Sequence, residues 1–393
     1  MRKWICRATL LATLTVVAPC QAWAIDIDLD DFVSRFNSPA GLNLGPISVV
    51  GEKVLVDGMT YQLDGSLIVL DGQFTFMGIV AQPDGGYLID GMTAPDVVVR
   101  DAETREENLS LKDLAVSGYV VVGKPGWPTS ITPMALSTGA VFTDWLGVPL
   151  TAGGVSMSLE PTFTGNDVSA LTAEWAAEAI VLDLTTEAGV QTIAGQILAD
   201  MDVDILTMDF GQSFVWSDDG GVALSARFAM RDLGAIQFIQ HFNGMTRNKV
   251  RELMASLATA SEQSGTIDMS FLAMAVGMTI KDSAVRYDDN SLLPKIIDYM
   301  ALNLGGRERA VAEIESYLMA VVNQRGIAEL SSLVRPALHE FLEQPSSLEM
   351  RFAPETPVSL IAFSVASNMN PAGLISLLGV TVAANEPPRP DTP

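Results

Sequence analysis

Between Ile47 and Gly123 the chain repeats one arrangement. Short apolar runs (Val54-Leu55-Val56, Leu67-Ile68-Val69-Leu70, Phe74-Thr75-Phe76, Val97-Val98-Val99, Tyr119-Val120-Val121-Val122) are punctuated by Asp57-Gly58, Asp64-Gly65, Asp71-Gly72, Asp84-Gly85 and Asp90-Gly91. A tight primed turn needs positive φ at its centre, and Asp-Gly supplies it with little strain. The stretch reads as an antiparallel β meander with hairpin turns at the Asp-Gly pairs. Within it, Val54-Leu55-Val56-Asp57-Gly58-Met59-Thr60 recurs 33 residues later as Tyr87-Leu88-Ile89-Asp90-Gly91-Met92-Thr93. Such self-similarity is expected of strand pairs that bury their faces on one another.

The first residues place that ladder in a compartment. Arg2, Lys3 and Arg7 precede an apolar run from Ala8 to Ala18, and Ala22-Trp23-Ala24 forms a small-x-small site. This is the pattern of a secretory signal peptide cleaved after Ala24. The run is far shorter than the roughly 20 residues that span a bilayer, which disfavours an uncleaved anchor. Pro19 before Cys20 departs from a lipoprotein signal. Cleavage removes both cysteines, so the remaining 369 residues must fold in an oxidising space, the periplasm, by core burial without disulfides. It also removes three basic residues, leaving 20 against 47 acidic ones and taking the net charge from −24 to −27. That balance argues against nucleic acid as a partner and against electrostatic docking to anionic lipid.

Beyond the ladder, Lys124-Pro125-Gly126-Trp127-Pro128 ends the first block. Longer strands are expected at Gly154 to Glu160, Val168 to Ala176, Ala179 to Thr186, Thr192 to Leu198, Val203 to Phe210 and Val222 to Met230. After Met230 the apolar spacing moves toward 3.6. Ile236, Phe238, Ile239 and Phe242, then Val250, Leu253, Met254 and Leu257, read as two helices. A β pair follows at Thr266 to Lys281 and Ala284 to Tyr287. The turn Asp288-Asp289-Asn290-Ser291 then caps helices at Ser291 to Leu304, Arg307 to Gln324 and Ile327 to Glu343. Strands are expected at Ser347 to Phe352, Val358 to Phe363 and Val380 to Ala384, with a helix at Pro371 to Leu378. A Pro-rich tail covers 386–393, and its composition argues against a membrane barrel, which usually closes on an aromatic strand.

The chemistry-bearing residues are sparse. Ile25-Asp26-Ile27-Asp28-Leu29-Asp30-Asp31-Phe32 has oxygen ligands but no calcium-loop spacing, and reads as an edge strand or helix start. Asp200, Asp202 and Asp204 would share one face of a strand, without the tight turn a metal loop requires. His241 and His339 both fall in expected helices. No Gly-x-Ser-x-Gly, His-Glu-x-x-His or phosphate loop is present. No catalytic, metal or cofactor residue is therefore assigned, and the chain reads as non-enzymatic. Trp127, Trp145, Trp175 and Trp216 sit near expected strand ends, where they can cap a β core or line a groove.

Asp288-Asp289-Asn290-Ser291-Leu292-Leu293, Phe341-Leu342-Glu343-Gln344-Pro345, Pro354 with Pro357-Val358, Pro371 and the closing Val380 to Asn385 together resemble an uncharacterised family of exported proteobacterial proteins. The strand ladder resembles the AsmA and YdgA-like periplasmic proteins. That second likeness implies a curved sheet whose apolar concave face shelters lipid acyl chains. The chain departs from AsmA proteins in lacking an uncleaved anchor and in being short.

The expected class is α+β, an extended, curved, mostly antiparallel sheet with C-terminal helices packed on it. Its organisation is a signal peptide (1–24), a β-rich meander region (25–232), an α+β C-terminal region (233–385) and the tail. The leading expectation is a periplasmic envelope protein, not integral to the membrane, that binds a lipid or other apolar ligand in a β-groove lined by Phe74, Phe76, Trp175 and Phe228. The alternative is a scaffold that meets an envelope protein through the helices of Ser291 to Glu343, with a hydrolase third.

Overall fold

The structure is a computed structural model that describes residues 28–37, 42–63, 66–81, 86–104, 107–121, 134–145, 148–164, 167–186, 189, 193–250, 276–323, 328–369 and 371–387. These residues form eighteen strands and, in the C-terminal part, most of the helices, so the class is α+β. They divide into two compact units. The first takes the described residues up to 145 and those of 149–178; the second takes 148, those of 179–250 and those from 276 to 387.

The first unit opens with helix α1 (Leu29–Asn37). Asp28 starts it, its Oδ1 accepting the N–H groups of Asp30 and Asp31, both at 3.1 Å. A cap of this kind satisfies amides that the first helical turn leaves without partners. The helix buries Phe32, which meets Phe76 and Tyr87 edge to face at 6.2 and 5.3 Å, while the Tyr87 hydroxyl donates to Asp31 at 2.6 Å.

The ladder follows as β1 (Leu42–Leu44), β2 (Ile47–Val50), β3 (Lys53–Leu63), β4 (Ser66–Ala81), β5 (Tyr87–Asp101) and β6 (Glu107–Val121), all pairing antiparallel. β7 (Met134–Thr138) and β8 (Ala140–Trp145) share the next edge of β6. β9 (Val148–Ala152), β10 (Gly154–Thr164) and β11 (Asp167–Asp183) complete the run, with β10 between β7 and β11.

The meander is therefore present, but its strands are longer than the Asp-Gly punctuation implied. Asp57-Gly58, Asp71-Gly72 and Asp90-Gly91 lie inside β3, β4 and β5. Asp64-Gly65 and Asp84-Gly85 fall between consecutive strands and lie outside the described residues. The physical reason is that positive φ serves a bulge as well as it serves a turn. Gly58 (φ 78°) sits at the register shift between Asp57 and Met59.

What these interruptions do is visible in β5. Its buried residues are Tyr87 and Ile89, then Met92 and Ala94, then Val97 and Val99. Period two holds within each pair, and one additional residue enters between pairs, at Asp90-Gly91 and at Pro95-Asp96. Without those steps every side chain beyond them would face the wrong way. Neighbouring strands break at the same places. Gly72 lies against Asp96, where a Cβ would stand 2.4 Å from the Asp96 carbonyl oxygen. Asp113 of β6 takes φ 51°, and Lys112 O beside it accepts both Gly139 N–H at 2.8 Å and Thr138 Oγ1 at 2.7 Å. Gly45, between β1 and β2, donates its N–H to Gly58 O at 2.9 Å. A row of irregular steps thus crosses the ladder from β1 to β8.

The second unit carries β12 (Ile205–Ser217), β13 (Val222–Met230), β14 (Gly234–Asn243), β15 (Thr279–Asp289), β16 (Ser347–Phe352), β17 (Val358–Ser359) and β18 (Val380–Ala384). β12 through β16 pair in order, β18 pairs with β16, and β17 pairs with the start of β15. Its helices are α2 (Ile193–Asp200), α3 (Leu292–Leu304), α4 (Arg307–Asn323), α5 (Ala328–Glu343), α6 (Leu360–Met369) and α7 (Pro371–Leu378). Asp289 starts α3: its Oδ1 accepts Leu293 N–H at 2.8 Å, and Gly305 (φ 77°) ends that helix.

Four expectations are corrected here. Of the strand expected at Thr192 to Leu198, the described residues from Ile193 onward are helix α2, because a short apolar run satisfies either period. For the same reason Ile236 to Phe242 is strand β14, not helix. Val358 to Phe363 leaves the sheet after two residues, because Ser359 Oγ accepts Ala362 N–H at 3.0 Å and starts α6. Asp200, Asp202 and Asp204 do not share a strand face, since Asp200 ends α2 and the other two lie in the turn after it, where Asp202 takes φ 58°. In addition, Val168 to Ala176 and Ala179 to Asp183 run through as the single strand β11, and Leu184 to Thr186 turn out of it. Residues 279–289 likewise run through as one strand. Of the helix expected at Val250 to Leu257, only Val250 is described, and residues 266–275 also lie outside the described residues.

Gly45→Ala should destabilise the protein by about 1–3 kcal/mol, because the new methyl carbon would lie 2.1 Å from the Asp57 carbonyl oxygen. Gly211→Ala meets nothing within 4 Å and should change stability by under about 0.5 kcal/mol. Thermal unfolding followed by circular dichroism checks both, and equal losses would contradict the assigned role of the Gly45 step.

Candidate functional site

Strand register in the second unit sorts its side chains onto two unlike faces. One rank across the sheet reads Phe210, Phe228, Ile236, Tyr287, Leu348, Ala384. The next reads Gln212, Ala226, Phe238, Val285, Met350, Val382, and the third reads Phe214, Leu224, Gln240, Ser283, Phe352, Val380. No residue in the three ranks is charged. The alternate positions carry Asp209, Arg227, His241, Asp282, Arg286, Asp288, Glu349 and Arg351.

The uncharged face is covered unevenly. Over β15, β16 and β18 it meets α3, α4 and α5 through Ile297, Met319, Leu338, Phe341 and Leu342, and Tyr287 packs edge to face on Phe341 at 5.9 Å. At one end Met230 joins Leu198, Met201, Val203 and Leu292. At the other, Phe242 and Ile280 lie under α6 and α7 with Val358, Leu378 and Val380. Between these clusters the face stays open. Phe238 is 45% exposed, Gln212 and Gln240 are exposed, and Phe214, Leu224, Ala226 and Phe228 are half-buried. An aromatic and aliphatic floor with two amides at its centre can take an uncharged chain-like ligand, because charged groups there would lose hydration without gaining a counter-ion.

The opposite face is held by ion pairs. Arg286, buried, donates to Asp288 at 2.8 Å, to Glu349 at 3.3 Å and to the Glu386 carbonyl at 2.8 Å. Burial lowers its proton affinity, and the two carboxylates more than offset that, so its pKa is raised. The Tyr287 phenol, which donates to Asp289 at 2.7 Å, has its pKa pushed up first by burial and then by that carboxylate. His241 lies on this face, on a strand and not a helix, with Nδ1 2.8 Å from Asp282. His339 is on α5 as expected, 3.2 Å from Glu315. Among the described residues no three His, Cys, Asp or Glu side chains cluster as metal ligands.

Of the expected groove residues, Phe74 and Phe76 are buried in the first unit, Phe76 against Phe32, while Trp175 is half-buried on β11 opposite Met157. Phe228 lies on the open face of the second unit. Trp216 is buried and donates Nε1–H to Met245 O at 2.6 Å, whereas Trp127 and the cleavage residues Ala22 and Ala24 lie outside the described residues. Reading β14 as a helix hid Phe238, an exposed aromatic member of the floor. The signal was in Phe210-x-Gln212-x-Phe214 and Leu224-x-Ala226-x-Phe228, where one parity is free of charge over consecutive strands.

A family model described as "Uncharacterized protein" matches residues 227–385, a span running from β13 to β18. Comparison with curated proteins gives no match.

Asp209 of β12 holds the turn after β13 and the backbone of β11. Arg231 donates to both of its oxygens at 2.9 Å and Ala179 N–H donates at 2.8 Å, which together hold its carboxyl below the ordinary 3.8. A depressed carboxylate stabilises the fold above pH 3.8, and that contribution is lost as acid protonates it. Asp209→Asn should lower Tm by about 1–3 °C at pH 7, since the pair is partly exposed. The gap from wild type should close on acidification below pH 3.8. Melts across that range test it, and a gap independent of pH would refute the assignment.

Proposed function

We propose that the chain is an exported, non-enzymatic protein of the cell envelope that shelters a lipid acyl chain on the open face of β12 to β15. One observation carries the reading: an uncharged face, roofed by helices at both ends and along one side, leaves Phe238 exposed at its centre. Monomeric surfaces rarely expose contiguous apolar area of this kind without a use for it. The signal-like start supports export to the periplasm, and the resemblance to AsmA and YdgA-like proteins supports an acyl ligand. Among the described residues no helix is long and apolar enough to cross a membrane.

A second reading, a scaffold surface, is favoured by α3 and α4. Leu302 is 86% and Tyr317 68% exposed there, beside the exposed Val321. Tyrosine with aliphatic neighbours is a common centre of protein contacts.

Mass spectrometry of an organic extract from the purified mature protein discriminates between the two. Acyl lipid at near one equivalent, reduced about tenfold or more in Phe238→Asp by the lost burial, is the expected outcome. A clean extract from a folded wild-type protein would leave the scaffold reading standing.

A further inference from the structure

The polar members of the uncharged floor are unevenly placed. Gln240 of β14 stands directly opposite Ser283 of β15, and one rank away on the same two strands Phe238 stands opposite Val285. Gln240 is exposed and Ser283 half-buried, while Phe238 is 45% and Val285 36% exposed. Alternate residues of a strand share a face, so these four side chains form a square, an exposed apolar pair about 7 Å from a polar pair. Leu224 and Phe352 flank the polar pair along its own rank. Directly opposite residues hold their Cβ atoms about 5 Å apart, so the Gln240 amide and the Ser283 hydroxyl can both reach one atom placed above them. Among the described residues neither side chain has a hydrogen-bond partner.

We infer that Gln240 and Ser283 form a carbonyl-binding pair, so that the ligand of the open face is a neutral acyl ester or amide and not a free fatty acid. The inference rests on the acyl-chain reading of this face and narrows it. The carboxamide brings N–H donors and the hydroxyl an O–H donor, and an acyl carbonyl oxygen has two lone pairs that accept from both. The hydrocarbon that follows the carbonyl then lies on Phe238 and Val285, the exposed neighbours one rank away. An ionised carboxylate in the same place would be an anion held against a chain of net charge −24, and it would lose hydration without gaining a counter-ion. An ester or amide presents the same acceptor without the charge. A ligand that has the chain but not the carbonyl would leave both donors covered and unpaired, which costs more than the hydrogen bonds add when they form.

The test is calorimetric titration of the delipidated mature protein with three ligands of one chain length. Monolauroylglycerol carries the ester, the dodecyl ether of glycerol lacks only the carbonyl oxygen, and laurate carries the charge. Wild type should bind the ester about tenfold or more tighter than the ether, through the two added hydrogen bonds, and should bind laurate more weakly than the ester. Gln240→Leu/Ser283→Ala should bind ester and ether alike, at the affinity wild type has for the ether, and unchanged ether binding shows that the variant is folded. Ser283→Ala alone, which removes one oxygen, should lose part of the preference. The infrared stretch of an isotope-labelled ester carbonyl should lie lower when the ester is bound to wild type than when it is bound to the double variant. Equal binding of ester and ether by wild type, a preference that survives the double substitution, or laurate as the tightest ligand would each overturn the carbonyl assignment and leave the acyl reading in place. Failure of all three ligands to bind folded wild type would overturn both, which keeps the two failures apart.

Discussion

The constraint beneath the whole molecule is strand parity. A strand of fifteen residues, such as β5 or β6, must keep its apolar side chains on one side while its own twist carries them out of line with the strands beside it. The first unit meets this by inserting one residue at chosen places and doing so in neighbouring strands together. The buried sequence Tyr87, Ile89, Met92, Ala94, Val97, Val99 records two such steps in a single strand. Each step demands a backbone that only certain residues adopt without strain, which explains Gly58, Gly78 and Gly118 at φ 78°, 61° and 68°. With the steps in place, the interior face closes over Phe32, and α1 is held there by Tyr87 and Asp31.

The second unit needs no such correction through β12, β13 and most of β14, whose registers are regular, and its shifted step comes late, at His241 and Phe242. Regular parity has a chemical consequence. Charge collects on one side, where Arg286 gathers Asp288 and Glu349, and the other side is left for helices and, between them, for an open apolar floor. Sheet and helices share one anchoring carboxylate: Asp289 accepts from Tyr287 on the strand and from Leu293 on the helix that follows.

Much of this was legible in the residues alone. Antiparallel strands, the three long C-terminal helices with their Gly305-Gly306 stop, and the strand, helix and strand at 347–352, 371–378 and 380–384 follow from period and punctuation. What misled was the double meaning of short signals. Asp-Gly marks positive φ, which a bulge uses as readily as a turn. Ile236, Phe238, Ile239 and Phe242 satisfy a helical face, and equally a strand with a late bulge, and only pairing with β13 and β15 decides. The open floor was half visible, through Phe228, because its members come from strands distant in sequence and only register brings them into one rank.

The place of β18 bears on how the second unit assembles. β16 is flanked by β15 on one side and β18 on the other, and Asn385 and Glu386 fasten the far end through Ser347 and Arg286. Until β18 has been synthesised, β16 presents a bare edge and α5 lacks part of its floor. Such a late-closing topology folds slowly and leaves the edge of β16 exposed to aggregation until the last strand is in place.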